Sequence, residues 1–178
     1  MNETTTETTT ALEELIDSSI ASSESRIVDF DTLKFQTKMG EKFRRGQVRY
    51  IGSGATGDHS DDNNILQAEN FTFSNMVLPA GCVGPEHTHP DVEEVFFVLE
   101  GEVEFSVHDV EDGTKKASRI LGYRDLIRVP AGVPRSLRTV SETDAIICVI
   151  IGAKKPALPF YPPSSEMHGV THKPQRKT

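Results

Sequence analysis

Cysteine is scarce. Cys82 and Cys148 are the only two among 178 residues, and two distant thiols make no disulfide framework. Long apolar runs are missing, so no segment is read as spanning a bilayer. The first residues are Thr- and Glu-rich, and no basic segment followed by an apolar one opens the chain. That excludes a secretory signal in the sequence as read and makes a cytoplasmic, reducing location the expectation. Positive charge is short as well: 19 Lys and Arg stand against 27 Asp and Glu, for a net charge of −8. A nucleic-acid binder needs a basic face. The one basic cluster, Lys173, Arg176 and Lys177, is terminal and is read as a solvated tail. No internal repeat is visible. The length suits one domain with a real core.

Composition divides the chain in three. Residues 1–24 are dominated by Thr, Ser and Glu and form a flexible leader, with one or two helical turns possible over Ala11–Ile16. Residues 25–153 form the folded domain. Residues 154–178 are a Pro-rich tail that cannot enter a sheet interior, with Phe160 and Tyr161 placed to pin it. Within the domain, Ile27, Val28, Phe30, Leu33 and Phe35 suggest one or two strands, and Gln47–Ile51 another. Gly52–Asn64 is a loop, either a lid or a surface excursion. Strands follow at Asn70–Leu78 (Phe71, Phe73 and Val77 on one side), Val92–Leu99, Glu102–His108, Lys116–Leu121, Leu126–Val129, Pro134–Val140 and Ala145–Ile151, with a hairpin at Asp112-Gly113. Many short strands with little helix indicate an all-β sandwich or barrel.

The chemistry concentrates in Gly81–Gly101, GCVGPEHTHPDVEEVFFVLEG. His87 and His89 are two apart, so on a strand both imidazoles face one side. A turn at Pro90-Asp91 brings back the next strand, which Glu94 begins. Phe96 and Val98 then share the face of Glu94 and wall the site with apolar surface. Two neutral imidazoles and one carboxylate suit a borderline divalent ion. The opposite face, Val95, Phe97 and Leu99, is also apolar and needs cover. The N-terminal strands or another subunit can supply it, and a homodimer is the favoured expectation.

The same stretch resembles the first motif of the cupin superfamily, G-x5-H-x-H-x4-E-x6-G, at Gly81, His87, His89, Glu94 and Gly101. The resemblance implies an all-β cupin double-stranded β-helix, a jelly-roll-type barrel, with His87, His89 and Glu94 as metal ligands. The second motif, G-x5-P-x-G-x2-H-x3-N, is only partly kept. Pro130 and Gly132 match, but Arg124, Arg135 and Thr139 replace its Gly, His and Asn. The family's fourth ligand is therefore an arginine, which stays protonated and does not ligate metal. Two readings stand. In one, His87, His89 and Glu94 hold a divalent metal with open positions, and Arg135 is a catalytic clamp on a substrate carboxylate or enolate. In the other, the metal is gone, Arg135 pairs with Glu94, and the pocket binds a small anion or does acid–base chemistry with the His pair.

The metal reading is preferred. The expected function is a metal-dependent enzyme acting on a small oxygenated, anionic organic substrate, with dioxygenase-type chemistry. Fe(II) is favoured over Mn, Ni or Zn, and Phe96, Val98, Leu137 and Thr139 are expected to line the substrate pocket. The alternatives are a non-catalytic binding or sensing cupin, or an isomerase or lyase that uses no O2. The remaining candidates read blandly. His59, His168 and His172 are expected exposed, and His108 turned away from the Val103, Phe105 and Val107 side. Arg138 is expected at the surface, Cys82 and Cys148 as packing residues, and Asp61, Asp62, Glu100 and Glu102 in solvated turns. No nucleic-acid or membrane partner is expected.

Overall fold

A computed structural model describes residues 3–54 and 65–171. Most of the Gly/Asp-rich loop, with His59, Asp61 and Asp62, lies outside these residues. So do His172 and the terminal basic cluster.

Among the described residues, nine strands build two antiparallel sheets. β1 (Gly46–Ile51), β2 (Thr72–Leu78), β9 (Ala145–Ile151), β4 (Glu94–Glu100) and β7 (Leu126–Val129) lie side by side in that order in one sheet. β3 (Val83–His87), β8 (Arg135–Thr139), β5 (Val103–His108) and β6 (Lys116–Leu121) form the other. The expected all-β sandwich is therefore the observed fold. The core fills the space between the sheets. Alternation on each strand turns Leu78, Met76, Ile147, Val149, Phe96 and Val98 inward from one sheet, and Val103, Phe105 and Leu137 from the other. The Phe96 and Phe105 rings meet across the gap, their centroids 5.0 Å apart.

Two sequence expectations change, and one is completed. The Ile27–Phe35 segment makes one isolated bridge, Asp29 to Gln47, and then turns into 3-10 helices at Lys34–Met39 and Glu41–Phe43. The reason is Asp29. Its carboxylate accepts hydrogen bonds from the Asp31 and Thr32 amides and the Thr32 hydroxyl, which closes a turn where a strand would continue. Arg49, buried beneath, pairs with the same carboxylate at 3.0 Å. On β2, Phe71, Phe73 and Val77 share one side as read, and the structure makes it the outer one: Phe71 is 43% exposed, while Thr72, Ser74, Met76 and Leu78 point in. Pairing with β9 sets this register, because Leu78, Met76 and Ser74 stand opposite the inward-facing Ala145, Ile147 and Val149. Finally, an α-helix runs from Glu3 to Ser18, longer than the turns expected in the leader. From Thr10 onward it is exposed and buries no face.

The tail behaves as its composition implies. It joins no sheet, but Thr88 and Phe160 exchange two backbone hydrogen bonds, and Met167 is fully buried. The motif glycine Gly101 has φ +73°, and a Cβ there would meet Asp144 O at 2.9 Å. Arg124, at the position where the second motif has glycine, keeps a positive φ of 68°. A left-handed non-glycine residue costs about 1–2 kcal/mol. Arg124→Gly is therefore expected to stabilise the fold by about 1 kcal/mol. Gly101→Ala is expected to destabilise it by about 1–3 kcal/mol, through strain and the carbonyl clash. Chemical denaturation of both variants against wild type checks the opposite signs.

Candidate metal centre

His87 ends β3, His89 lies two residues beyond, and Glu94 opens β4 after the turn at Pro90-Asp91. The three side chains come from the two sheets and meet where the sheets converge. All three are buried. Glu94 Oε2 lies 3.7 Å from His87 Nε2 and 3.7 Å from His89 Nε2. The three donor atoms sit within 4.8 Å of one another. Two bonds of about 2.1 Å span at most about 4.2 Å, so a small closure of the group surrounds one ion.

The surroundings support that use. His87 Nδ1 lies 2.8 Å from the Pro85 carbonyl. As donor to that oxygen it leaves the Nε2 lone pair for the site. His89 is almost fully buried, and burial, against the favourable pull of Glu94, lowers its pKa to about 4. It is neutral at physiological pH, as a ligand must be. Burial by itself would raise the Glu94 carboxyl. The hydrogen bond with His87 and the charges of His89, His87 and Arg135 outweigh it and hold Glu94 near 2. The residues present thus fit a divalent cation.

Arg135 is not where the clamp reading put it. It is 0% exposed, and its Nε donates to Glu94 Oε2 at 3.1 Å while Nη1 donates to the Val133 carbonyl. It sits behind the carboxylate and does not line the cavity in front of it. Val98, Leu137 and Thr139 are likewise core residues outside the cavity wall, with Thr139 Oγ1 donating to Leu78 O. Of the expected pocket residues, Phe96 alone is in the wall. β4 carries Val98 deeper into the core, and β8 lies behind the metal donors.

The cavity holds about 90 Å³ and opens onto His87, His89 and Glu94. Its far wall was not legible in the sequence. It comes from Gln36 and Arg45 in the N-terminal segment and from Tyr161 in the tail. Arg45 Nε donates to Gln36 Oε1 (3.1 Å), and Gln36 Nε2 donates to the Tyr161 hydroxyl (2.8 Å). No carboxylate reaches Arg45 at ion-pair distance among the described residues. Burial lowers its pKa, opposed by Tyr161 and Glu94. Arg45 follows no motif spacing, and only the fold brings it to the site.

The remaining candidates fall as expected. Glu93 points outward to Arg128, Arg138 is largely exposed and pairs with Glu104, and His168 is exposed. His108 turns away from the core side of β5, and Cys82 and Cys148 are free thiols whose pKa burial raises.

Facing antiparallel sheets and a His–His–Glu cluster at their junction define a β-sandwich protein with a buried candidate metal centre. Residues 74–151 match the family model described as "Cupin domain". Among curated proteins, it is 26% identical over 92 residues to oxalate oxidase GF-3.8 of Triticum aestivum, covering 51% of this chain and 41% of that protein. Oxalate oxidase 1 of Hordeum vulgare gives the same identity, with 46% of its length covered. The chain thus spans less than half the length of these relatives. Among solved structures, peruvianin-I, described as a cysteine peptidase from Thevetia peruviana latex, superposes with a TM-score of 0.58 at 18% identity, over 79% of this chain and 76% of that one. The oxalate decarboxylase formate complex of Lactobacillus farciminis gives 0.50 at 12% identity, over 64% and 30%. At these identities the structural likeness shows the fold.

Elemental analysis of protein prepared without a metal-affinity resin is expected to find about one equivalent of divalent metal, lost in Glu94→Ala. Because Arg135 compensates a buried carboxylate, Arg135→Leu is expected to cost the metal-free protein about 3–5 kcal/mol in denaturation. Arg135→His removes the positive charge and adds a ring nitrogen beside His87, its cross-strand partner. Competition titration is expected to show tighter zinc binding by that variant than by wild type.

Proposed function

We propose that this chain is a metal-dependent cupin enzyme acting on a small organic anion rich in oxygen. One observation carries the reading: the metal donors and a guanidinium without a carboxylate partner among the described residues face each other across one small cavity. Its 90 Å³ is well below the ~300–1,000 Å³ of drug-sized sites, so the substrate has only a few heavy atoms. The curated relatives are named for oxidising oxalate, an anion of that size and charge.

A divalent ion held by His87, His89 and Glu94 would polarise substrate oxygens and, as Fe(II), our preferred metal over Mn, Ni or Zn, would supply redox chemistry with O2. The protein supplies the rest. Arg45 receives the substrate carboxylate through charge-assisted hydrogen bonds. Gln36 and Tyr161 hold that guanidinium in place. Phe96, Met76, Val149 and Ile151 keep the cavity dry, which strengthens each polar contact inside it. Arg135 fixes the orientation of Glu94. Dioxygenase-type or oxidase turnover of a short carboxylate is the favoured activity.

A second reading rests on Arg135 itself. Its positive charge sits 3.1 Å from Glu94 and opposes a cation there. In a metal-free pocket, Arg45 would serve a small-anion binding or sensing protein. Val95, Phe97 and Leu99 stay partly exposed on the outer sheet face, beside the exposed Leu126. A homodimer through this face is part of the proposal.

Reconstituted protein is expected to consume O2 with a short carboxylate from a panel that includes oxalate. Arg45→Met is expected to raise KM roughly 10- to 100-fold, the worth of a charged hydrogen bond, with metal content unchanged. Anion binding by calorimetry with no turnover under any metal would favour the sensing reading. Light scattering is expected to give a dimer mass, and Phe97→Asp a monomer. A wild-type monomer at micromolar concentration would end the dimer proposal.

A further inference from the structure

The four-stranded sheet has a second polar face. Strand alternation sends Arg135 and Leu137 of β8 inward and Ser136 outward, and on β5 it sends Ser106 and His108 outward. On β3 the register slips between Gly84 and His87, which stand opposite the inward-facing Leu137 and Arg135. This bulge leaves Glu86 on the outer face beside its neighbour's ligand position. Three adjacent strands thus set Glu86, Ser136 and His108 together, on the opposite side of the sheet from the metal donors.

Their atoms fall in a relay order. Ser136 Oγ lies 2.9 Å from His108 Nε2. His108 Nδ1 lies 3.6 Å from Glu86 Oε2. With the ring proton on Nδ1, facing the carboxylate, Nε2 accepts from the serine hydroxyl. Glu86 is fixed from the far side: Ser164 Oγ donates to its Oε1 at 2.7 Å, and Ser165 Oγ to its carbonyl at 2.8 Å. These tail contacts account for how the C-terminal segment is anchored, and they need neither His108 nor Ser136. His108 is about nine-tenths buried, yet its Nδ1 has no hydrogen-bond partner. The group borders a cavity of about 480 Å³, which Lys116, the cross-strand partner of His108, also lines. That volume falls in the ~300–1,000 Å³ range of small-molecule sites.

We infer that Ser136, His108 and Glu86 form a second, hydrolytic site that cleaves small carboxylic esters by acyl transfer. Ser136 Oγ attacks the ester carbonyl and its proton passes to His108 Nε2. The carbon–alkoxy bond then breaks, and His108 returns that proton to the departing alcohol. Water, deprotonated by the same ring, hydrolyses the acyl-serine to release the carboxylic acid and restore Ser136. Ser136 and His108 are the catalytic residues. Glu86 is a positioning residue that holds the tautomer. Lys116 supplies positive charge at the wall where the carbonyl oxygen becomes negative.

The test is active-serine labelling of the full-length protein with a fluorophosphonate, read by intact mass and peptide mapping, alongside 4-nitrophenyl acetate hydrolysis. One phosphonyl group on Ser136 is expected, with and without prior chelator treatment, because the site is separate from the metal centre. Ser136→Ala is expected to abolish the adduct and lower ester hydrolysis at least about 100-fold. Glu86→Gln is expected to lower kcat with KM unchanged, and Glu86→Asp to recover part of the loss. The Ser136→Ala protein is expected to keep its metal content. Wild-type protein that takes up no fluorophosphonate, or an adduct that survives Ser136→Ala, overturns the inference.

Discussion

A carboxylate closed off between two sheets must be compensated, and much of this molecule is arranged around that requirement. Glu94 opens β4 in one sheet, while Arg135 and His87 reach it from β8 and β3 in the other. Charge buried away from water is tolerated only when paired and hydrogen-bonded. Here the pairing bridges the two layers at one end of the core. Further along, the Phe96–Phe105 contact does the same with apolar surface. The polar end of the sandwich can accept a cation because its donors are held by the same packing that joins the sheets.

The arginine at the position of the fourth ligand changes what such a centre can be. A histidine there would add a neutral donor. Arg135 instead cancels the Glu94 charge and leaves more of the coordination sphere open. Under the proposed function that openness would serve substrate and O2 on a bound metal, while the same charge would weaken the hold on that metal. Whichever effect governs, a second positive charge faces the donors from the other side of the cavity. Arg45, Gln36 and Tyr161 form one hydrogen-bonded chain there. Its members come from the segment before the first strand and from the tail, so both ends of the described chain complete a pocket that the sandwich leaves open.

One sheet serves two polar sites because successive residues on a strand face opposite ways. His87 and Arg135 turn toward the metal centre, while their chain neighbours Glu86 and Ser136 turn toward the outer cavity. A shift of register by one residue in β3 or β8 would exchange the two sets. The bulge in β3 matters for this reason. It lets Gly84 and His87 both face inward although they are three apart, and it leaves Glu86 outside.

Local spacing was enough to read the metal donors. His87 and His89 at i and i+2, with Glu94 at the start of the returning strand, point to one place whatever the rest of the chain does. The β9 strand was legible for a similar reason, since an apolar run bounded by Asp144 and Gly152 leaves few alternatives. The inward face of β2 was not legible. Its aromatic residues are the more hydrophobic set by type, yet pairing with β9 turned Met76 and Leu78 inward in their place. Asp29 converted an apolar stretch into a turn through side-chain hydrogen bonds that no periodicity reports. The position of Arg135 behind Glu94, and not in front of it, followed from which side of β8 faces the carboxylate. The placement of Arg45 and Tyr161 across from the metal donors depended on contacts between segments more than a hundred residues apart. The sequence by itself therefore determined which atoms can bind metal, because strand geometry fixes neighbours two residues apart. Only the tertiary structure decided which charge faces the donors across the cavity, because long-range packing follows from how the sheets and termini close over the core.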